Sequence, residues 1–352
     1  MDPATRSLAT VTSFDFTHGA NSYAGLIADA QGNFYGTTRT GGPDSVGTVF
    51  ELPAGAGAVT TLATFAGPNG GNPQSPLVAD AQGNLYGTAS FGGVGNHGTV
   101  FEVSAGTHQL STLVAFNGTN GDYPLSGVIA DSKGNLYGST RGGGASGAGV
   151  VYKVEAGTHA FSVVATFNGA NGSVPEQRLL ADADGNLYGT TFSGGAMNLG
   201  TVYEVPAGTN TIVTLATFNG ANGASPEGSG GLIADAAGNL YGTTYAGGAN
   251  NLGTVFKLTA GTRQLVTLAT FDGTPGYGPL GSLAADGNGN LYGTTYYDMP
   301  NDRGTVFQLS GTGFVVPEPA SLSLVALAAF VIVSGRRRTQ SGTNVRRGVG
   351  AR

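Results

Sequence analysis

Short apolar stretches alternate with turns of Gly, Asn, Asp and Thr along residues 24–309. Stretches such as Leu85-Tyr86-Gly87-Thr88-Ala89 and Thr99-Val100-Phe101-Glu102-Val103 are rich in β-branched and aromatic residues. No stretch within this region carries apolar residues at helical spacing, so the pattern predicts pleated strands throughout.

The strands recur. The phrase Gly-Asn-Leu-Tyr-Gly places its Tyr at 35, 86, 137, 188, 241 and 292, with Phe34 replacing Leu in the first copy. The intervals are 51, 51, 51, 53 and 51 residues. Gly-Thr-Val-Phe or a close variant follows at Gly47, Gly98, Gly149, Gly200, Gly253 and Gly304. A third phrase resembling Thr-Leu-Ala-Thr-Phe ends at Phe65, Phe116, Phe167, Phe218 and Phe271. Each unit reads as four strands, A to D, which in the second unit are Leu77–Ala79, Asn84–Ser90, Thr99–Val103 and Leu110–Phe116. Asp-x-x-Gly-Asn turns A into B, and Ala-Gly-Thr joins C to D.

Four-stranded units of this length predict an all-β, six-bladed β-propeller of four-stranded antiparallel blades. The offset of the repeat predicts how the ring closes. Residues Leu8–Phe14 read as a D strand with no A, B or C before it, and Thr305–Leu309 as a C strand with no D after it. The N-terminal strand would therefore pair with the last three C-terminal strands and remove a free edge. An open β-solenoid or a split pair of sheets is the alternative.

The segment after the repeats differs. Val316-Pro317-Glu318-Pro319 precedes an uncharged run from Ala320 to Gly335 and then Arg336-Arg337-Arg338. As one helix that run spans about 24 Å, somewhat short of a ~30 Å hydrocarbon core. It predicts one C-terminal transmembrane helix, with the Arg cluster on the cytoplasmic side and the repeats facing outward. The order of elements resembles the PEP-CTERM sorting signal. That resemblance implies recognition by an exosortase-type membrane transpeptidase and delivery to the bacterial cell envelope or exterior, anchored C-terminally at least transiently. The repeats resemble the tandem-repeat family called GloVer, which implies no activity. The expected organisation is a propeller over 1–314, a sorting and anchor segment over 315–338 and a basic cytoplasmic tail over 339–352. Residues 1–16 show no basic n-region followed by an apolar h-region, so the export signal is expected upstream of Met1.

Charge sharpens the list of partners. Six of the 15 basic residues lie after position 335, leaving nine against 21 acidic residues in 1–335, a net charge of about −12. A body this acidic repels phosphate backbones and argues against nucleic acid. The absence of Cys excludes disulfides and thiolate metal sites. Two Asp-rich turns, at Asp182-Ala-Asp184 and Asp286-Gly-Asn288, resemble calcium loops but lack the later bidentate Glu. They read as structural turns, so no metal and no cofactor is expected. His97 falls in a B–C loop while His108 and His159 fall in C–D turns at the other end of the blade, too far apart to act as one site. No nucleophile, phosphate-loop or paired-carboxylate motif stands out, so the chain reads as a non-enzymatic binding or structural module. A secreted propeller enzyme acting on polysaccharide is the alternative.

One set of positions varies inside an otherwise constant frame. Just after strand B stand Arg39, Ser90, Arg141, Phe192, Tyr245 and Tyr296. With Phe91, Tyr297 and Asp298 they would ring one face of a propeller, where aromatic faces and Arg forks suit an extracellular glycan or peptide. Drift of exposed loops is the competing explanation.

Overall fold

The structure, a computed structural model, describes residues 10–228, 230–298 and 303–317, and all their regular structure is β-strand. Each repeat forms one antiparallel sheet. The first contains β1 (Ile27–Ala28), β2 (Phe34–Thr38), β3 (Thr48–Leu52) and β4 (Thr60–Thr64). The second contains β5 (Val78–Ala79), β6 (Leu85–Ala89), β7 (Thr99–Val103) and β8 (Leu110–Ala115). The third is β9 (Val128–Ala130), β10 (Leu136–Thr140), β11 (Val150–Val154) and β12 (Phe161–Thr166). The fourth is β13 (Leu180–Ala181), β14 (Leu187–Thr191), β15 (Thr201–Val205) and β16 (Val213–Thr217). The fifth is β17 (Ile233–Ala234), β18 (Leu240–Thr244), β19 (Thr254–Leu258) and β20 (Leu265–Thr270). In the sixth, β21 (Tyr277–Pro279) and β22 (Ala284–Ala285) both pair with β23 (Leu291–Tyr297), whose other edge carries β24 (Thr305–Leu309). The result is propeller-like.

The constant phrases are the contacts that stack one sheet on the next. Phe65, ending the D strand of the first sheet, meets Phe101 of the second edge-on at 5.0 Å, and both are fully buried. Phe116–Tyr152, Phe167–Tyr203, Phe218–Phe256 and Phe271–Phe307 repeat the contact at 4.9–5.2 Å. Edge-to-face pairs of this kind favour one relative placement of neighbouring sheets. The Gly of strand B makes room for the aromatic ring. A Cβ at Gly87 would stand 2.6 Å from Phe101 Cζ and 3.0 Å from Leu77 Cδ2. The Gly that opens strand C serves the junction at the other end. Gly149 has φ +102° and stands where a Cβ would come 2.7 Å from Pro175 Cδ of the next unit. A side chain there would be strained in backbone and packing together.

The two ends of the array are unlike its middle. Val49, Val100, Val151, Val202 and Val255 are at most 1% exposed, but their counterpart Val306 in β24 is 76% exposed. Leu26 and Phe34 on the first sheet are 50% and 41% exposed, whereas their counterparts Leu77 and Leu85 are 1% and 4%. The same kind of apolar face is covered at five junctions and left open on the first and sixth sheets. Leu8 and Ala9 lie outside the described residues, and residues 10–14 form no strand and no described pair with β24. Phe14 nevertheless meets Phe50 edge-on at 5.0 Å, the place that Phe65 takes against Phe101. The apolar run Ala320–Gly335, the Arg cluster and the tail lie outside the described residues, and none of the described residues forms a helix able to cross a membrane.

Candidate functional site

The two ends of the sheets have different chemistry. At one end lie the A–B and C–D turns, and here the Asp of Asp-x-x-Gly-Asn is fully used. Asp80 Oδ1 accepts the amides of Gln82 and Asn84, while Oδ2 accepts Asn84 Nδ2 at 2.7 Å and the Tyr86 hydroxyl at 3.0 Å. Asn84 Oδ1 in turn accepts the Ala105 amide, tying the A–B turn to the C–D turn. The pattern repeats at Asp29, Asp131, Asp182, Asp235 and Asp286. Burial works to raise the Asp29 and Asp235 carboxyls, but the bonds from Asn33 and Asn239 outweigh it and hold both below the usual range. Burial and the Asp29 bond push the Tyr35 hydroxyl up to about 12. With both oxygens occupied, these carboxylates are structural turn-formers, and none of the described residues forms a metal-holding cluster. A cleft of about 780 Å³ between the second and third sheets opens here, lined by Tyr86, Glu102, Lys133 and His159 among others.

The C-terminal segment crosses this same end. Thr312 Oγ1 donates to Gly289 O, Phe314 lies 5.1 Å from the Tyr241 ring, and the Ala236 amide donates to Val315 O at 2.8 Å. Residues 312–315 thus strap across the turns of the sixth and fifth sheets immediately before Val316 and Pro317. Glu318, Pro319 and Arg336–Arg338 lie outside the described residues.

The opposite end is the mouth, where B–C loops pair with D–A loops through bridges such as Gly71↔Phe91 and Ser173↔Ser193. The variable positions after strand B all reach it, in three arrangements. Arg141 Nε binds Glu176 Oε1 at 2.8 Å, with the Arg half-exposed and the Glu largely covered. Burial raises the Glu176 carboxyl, Arg141 opposes that, and nearby Glu227 adds to it. Arg39 lies over the Tyr23 ring at 5.5 Å, a cation–π geometry. Tyr277 and Tyr297 stack at 5.0 Å, and Tyr296, 57% exposed, meets Tyr297 edge-on at 4.6 Å. Burial pushes the Tyr245 hydroxyl up, helped by Tyr297, Glu227 and Tyr296. Its ring lies against Gly278, where a Cβ would meet it at 2.9 Å.

Four positions depart from a simple ring. Ser90 is 1% exposed and donates to Asn72 O, while Gln74 donates to it, so Gln74 carries polarity at this point of the mouth. Phe91 packs on Tyr123 at 5.1 Å, and Phe192 is partly exposed. Asp298 Oδ1 accepts the Arg303 amide at 2.5 Å. His97 is at the mouth, 2.9 Å from Asp122 Oδ1, and His159 is at the turn end, so the histidines are separated as the loop order requires. Glu176, Glu227, Gln74 and Tyr277 escaped the sequence reading. The first three directly follow the Pro of each D–A loop (Pro73, Pro175, Pro226), so the same test of variation within a constant frame would have found them.

Two sequence families cover the chain. The Gloeobacter/Verrucomicrobia repeat matches residues 1–184 and 177–316. The chain belongs to this repeat family. The PEP-CTERM protein-sorting motif matches residues 315–338, which makes this family member an exported protein of the bacterial envelope or exterior, sorted through the membrane. No curated protein matches it in sequence. Among solved structures it is similar to an extracellular domain of BT4673 from B. thetaiotaomicron, at 13% identity and TM-score 0.53, covering 82% of this chain and 32% of that one. It is also similar to a puromycin-hydrolyzing peptidase of Mycobacterium tuberculosis, at 16% identity and TM-score 0.52, covering 84% of this chain and 44% of that one. The repeat protein thus spans less than half of either chain, and likenesses this distant concern the fold alone.

Proposed function

We propose that the protein is a non-enzymatic display module, a closed six-bladed propeller that presents its mouth to extracellular glycan. The strap carries this reading. Because residues 312–315 are bound at the turn end, the anchor leaves from that end and the mouth faces away from the membrane. The apolar run 320–335 holds the chain in the bilayer until an exosortase cuts near Pro317-Glu318-Pro319. Closure comes from residues 8–14 adding an outer strand to β24, which would cover Val306, Leu26 and Phe34 together. The Phe14–Phe50 contact supports this.

The test uses the full-length chain, expressed with a working signal peptide in a host that carries an exosortase. Surface labelling of a cysteine placed at Tyr296 and none at Lys133 is expected while the chain is anchored. A chain ending at Val315 is expected in the medium. Its retention in the membrane fraction, or labelling at Lys133 alone, refutes the display reading. A secreted enzyme acting on polysaccharide is the second reading, and the raised Glu176 carboxyl beside Glu227 favours it. Release of oligosaccharide products would decide for it.

A further inference from the structure

Glu227 stands at the mouth in the loop between β16 and β17, two residues after Ser225, whose carbonyl accepts the Tyr245 amide at 3.1 Å. Its neighbour Glu176 is paired with Arg141, and Asp122 with His97. No basic side chain among the described residues pairs with Glu227, whose only described hydrogen bond is accepted by its backbone carbonyl from Gln177 Nε2. Gln177 is itself held by Thr190 Oγ1 at 2.6 Å, which fixes the Glu227 backbone at the mouth. Burial holds the Tyr245 hydroxyl protonated, and the Glu227 carboxylate helps. The Tyr245 ring in turn lies against Gly278 of β21, between the stacking Tyr277 and Pro279, and Tyr277 stacks on Tyr297, which the exposed Tyr296 meets edge-on.

Resting on the reading of the mouth as a glycan site, we propose that its ligand is a glycan with free amino groups, whose ammonium is taken by Glu227 beside this tyrosine cluster. An ammonium group gains from a carboxylate and from aromatic faces at once. Pyranose rings pack flat on tyrosine faces such as the open one of Tyr296, and their hydroxyls match Arg141, Glu176 and Gln74 along the mouth. The net charge of about −12 over residues 1–335 draws a polycation in and repels an anionic polysaccharide. A neutral glycan would leave Glu227 desolvated and unpaired, an unfavourable outcome that sets the selectivity.

The experiment is calorimetry on the full-length chain in mild detergent, titrated with glucosamine oligomers and with N-acetylglucosamine oligomers of equal length below the amine's pKa. The amino form is expected to bind at least about tenfold tighter, with the advantage shrinking as salt rises. Glu227→Gln should remove that advantage, by weakening the amino form and relieving the penalty on the acetylated form, while leaving the melting temperature unchanged. Tyr296→Ala should weaken both forms. Equal or tighter binding of the acetylated form overturns the inference and leaves the glycan reading standing. Binding of neither form, with no other glycan bound on an array, ends both. An oligolysine peptide bound as tightly as the amino-sugar oligomer overturns the assignment to glycan.

Discussion

Val306→Asp tests ring closure at a single side chain. In the structure described, Val306 is 76% exposed at the free edge of the sixth sheet, so a carboxylate there should change stability by less than about 0.5 kcal/mol. In a closed ring the same residue would be covered as Val49 is, at 0%. Burying a Val side chain stabilises by roughly 1.5–3 kcal/mol, and a carboxylate in its place adds the cost of desolvating a charge. Together these put the closed-ring loss at no less than about 4 kcal/mol. For a domain of this size that lowers the melting temperature by about 8 °C or more, at roughly 2–4 °C per kcal/mol. Val49→Asp, on a covered face in either case, supplies the scale. Scanning fluorimetry of the three full-length proteins decides the matter. The proposed closure predicts that Val306→Asp falls beside Val49→Asp, and a melt indistinguishable from the unmodified chain refutes it.

Three further outcomes are expected. Gly87→Ala should cost about 1–3 kcal/mol in a denaturant melt, because its Cβ meets Phe101 at 2.6 Å, while Gly287→Ala, with open space around it, should be neutral. The Tyr152 hydroxyl is buried without a hydrogen-bond partner where most other units carry Phe, so Tyr152→Phe should raise stability by roughly 1 kcal/mol in the same melt; a loss contradicts the packing argument. Asp29 and Asp235 titrate below the usual carboxylate range when folded, so they stabilise above ~3.9, the unfolded value, and that stability is lost as pH falls through their folded values. Thermal melts from neutral to acid pH should therefore drop below about pH 4, and Asp235→Asn should flatten that drop.

The repeat made the strands legible because each is bounded by a Gly-centred turn. In the second unit the expected Thr99–Val103 is β7, and the expected Leu110–Phe116 is β8 with one residue fewer. The mouth was half legible. Arg141 and Tyr296 stood out by varying within a fixed frame, but the partner of Arg141 is Glu176, 35 positions on in the next unit's loop, a distance no local pattern spans. Ser90 looked like a ring member because its position varies from unit to unit within a constant frame, yet a small hydroxyl fits beneath Asn72 and is spent there. The strap was illegible for another reason. Thr312–Val315 reads as a linker, and only the Tyr241 ring, which Phe314 meets, and the Asp235 turn of the fifth sheet give it a place to bind.

The most direct test of the account is binding at the mouth itself. A glycan array probed with the full-length chain identifies a ligand, and calorimetry then compares the unmodified protein with Arg141→Ala, Tyr245→Ala and Tyr296→Ala. Arg141 and Tyr296 are half-exposed or more, so their loss should barely move the melting temperature. Each of the three substitutions should weaken binding by roughly 1–3 kcal/mol, the worth of an aromatic or Arg anchor. A ligand whose affinity ignores all three substitutions contradicts the account and moves the site to the turn end, where the cleft beside Tyr86 and His159 is open.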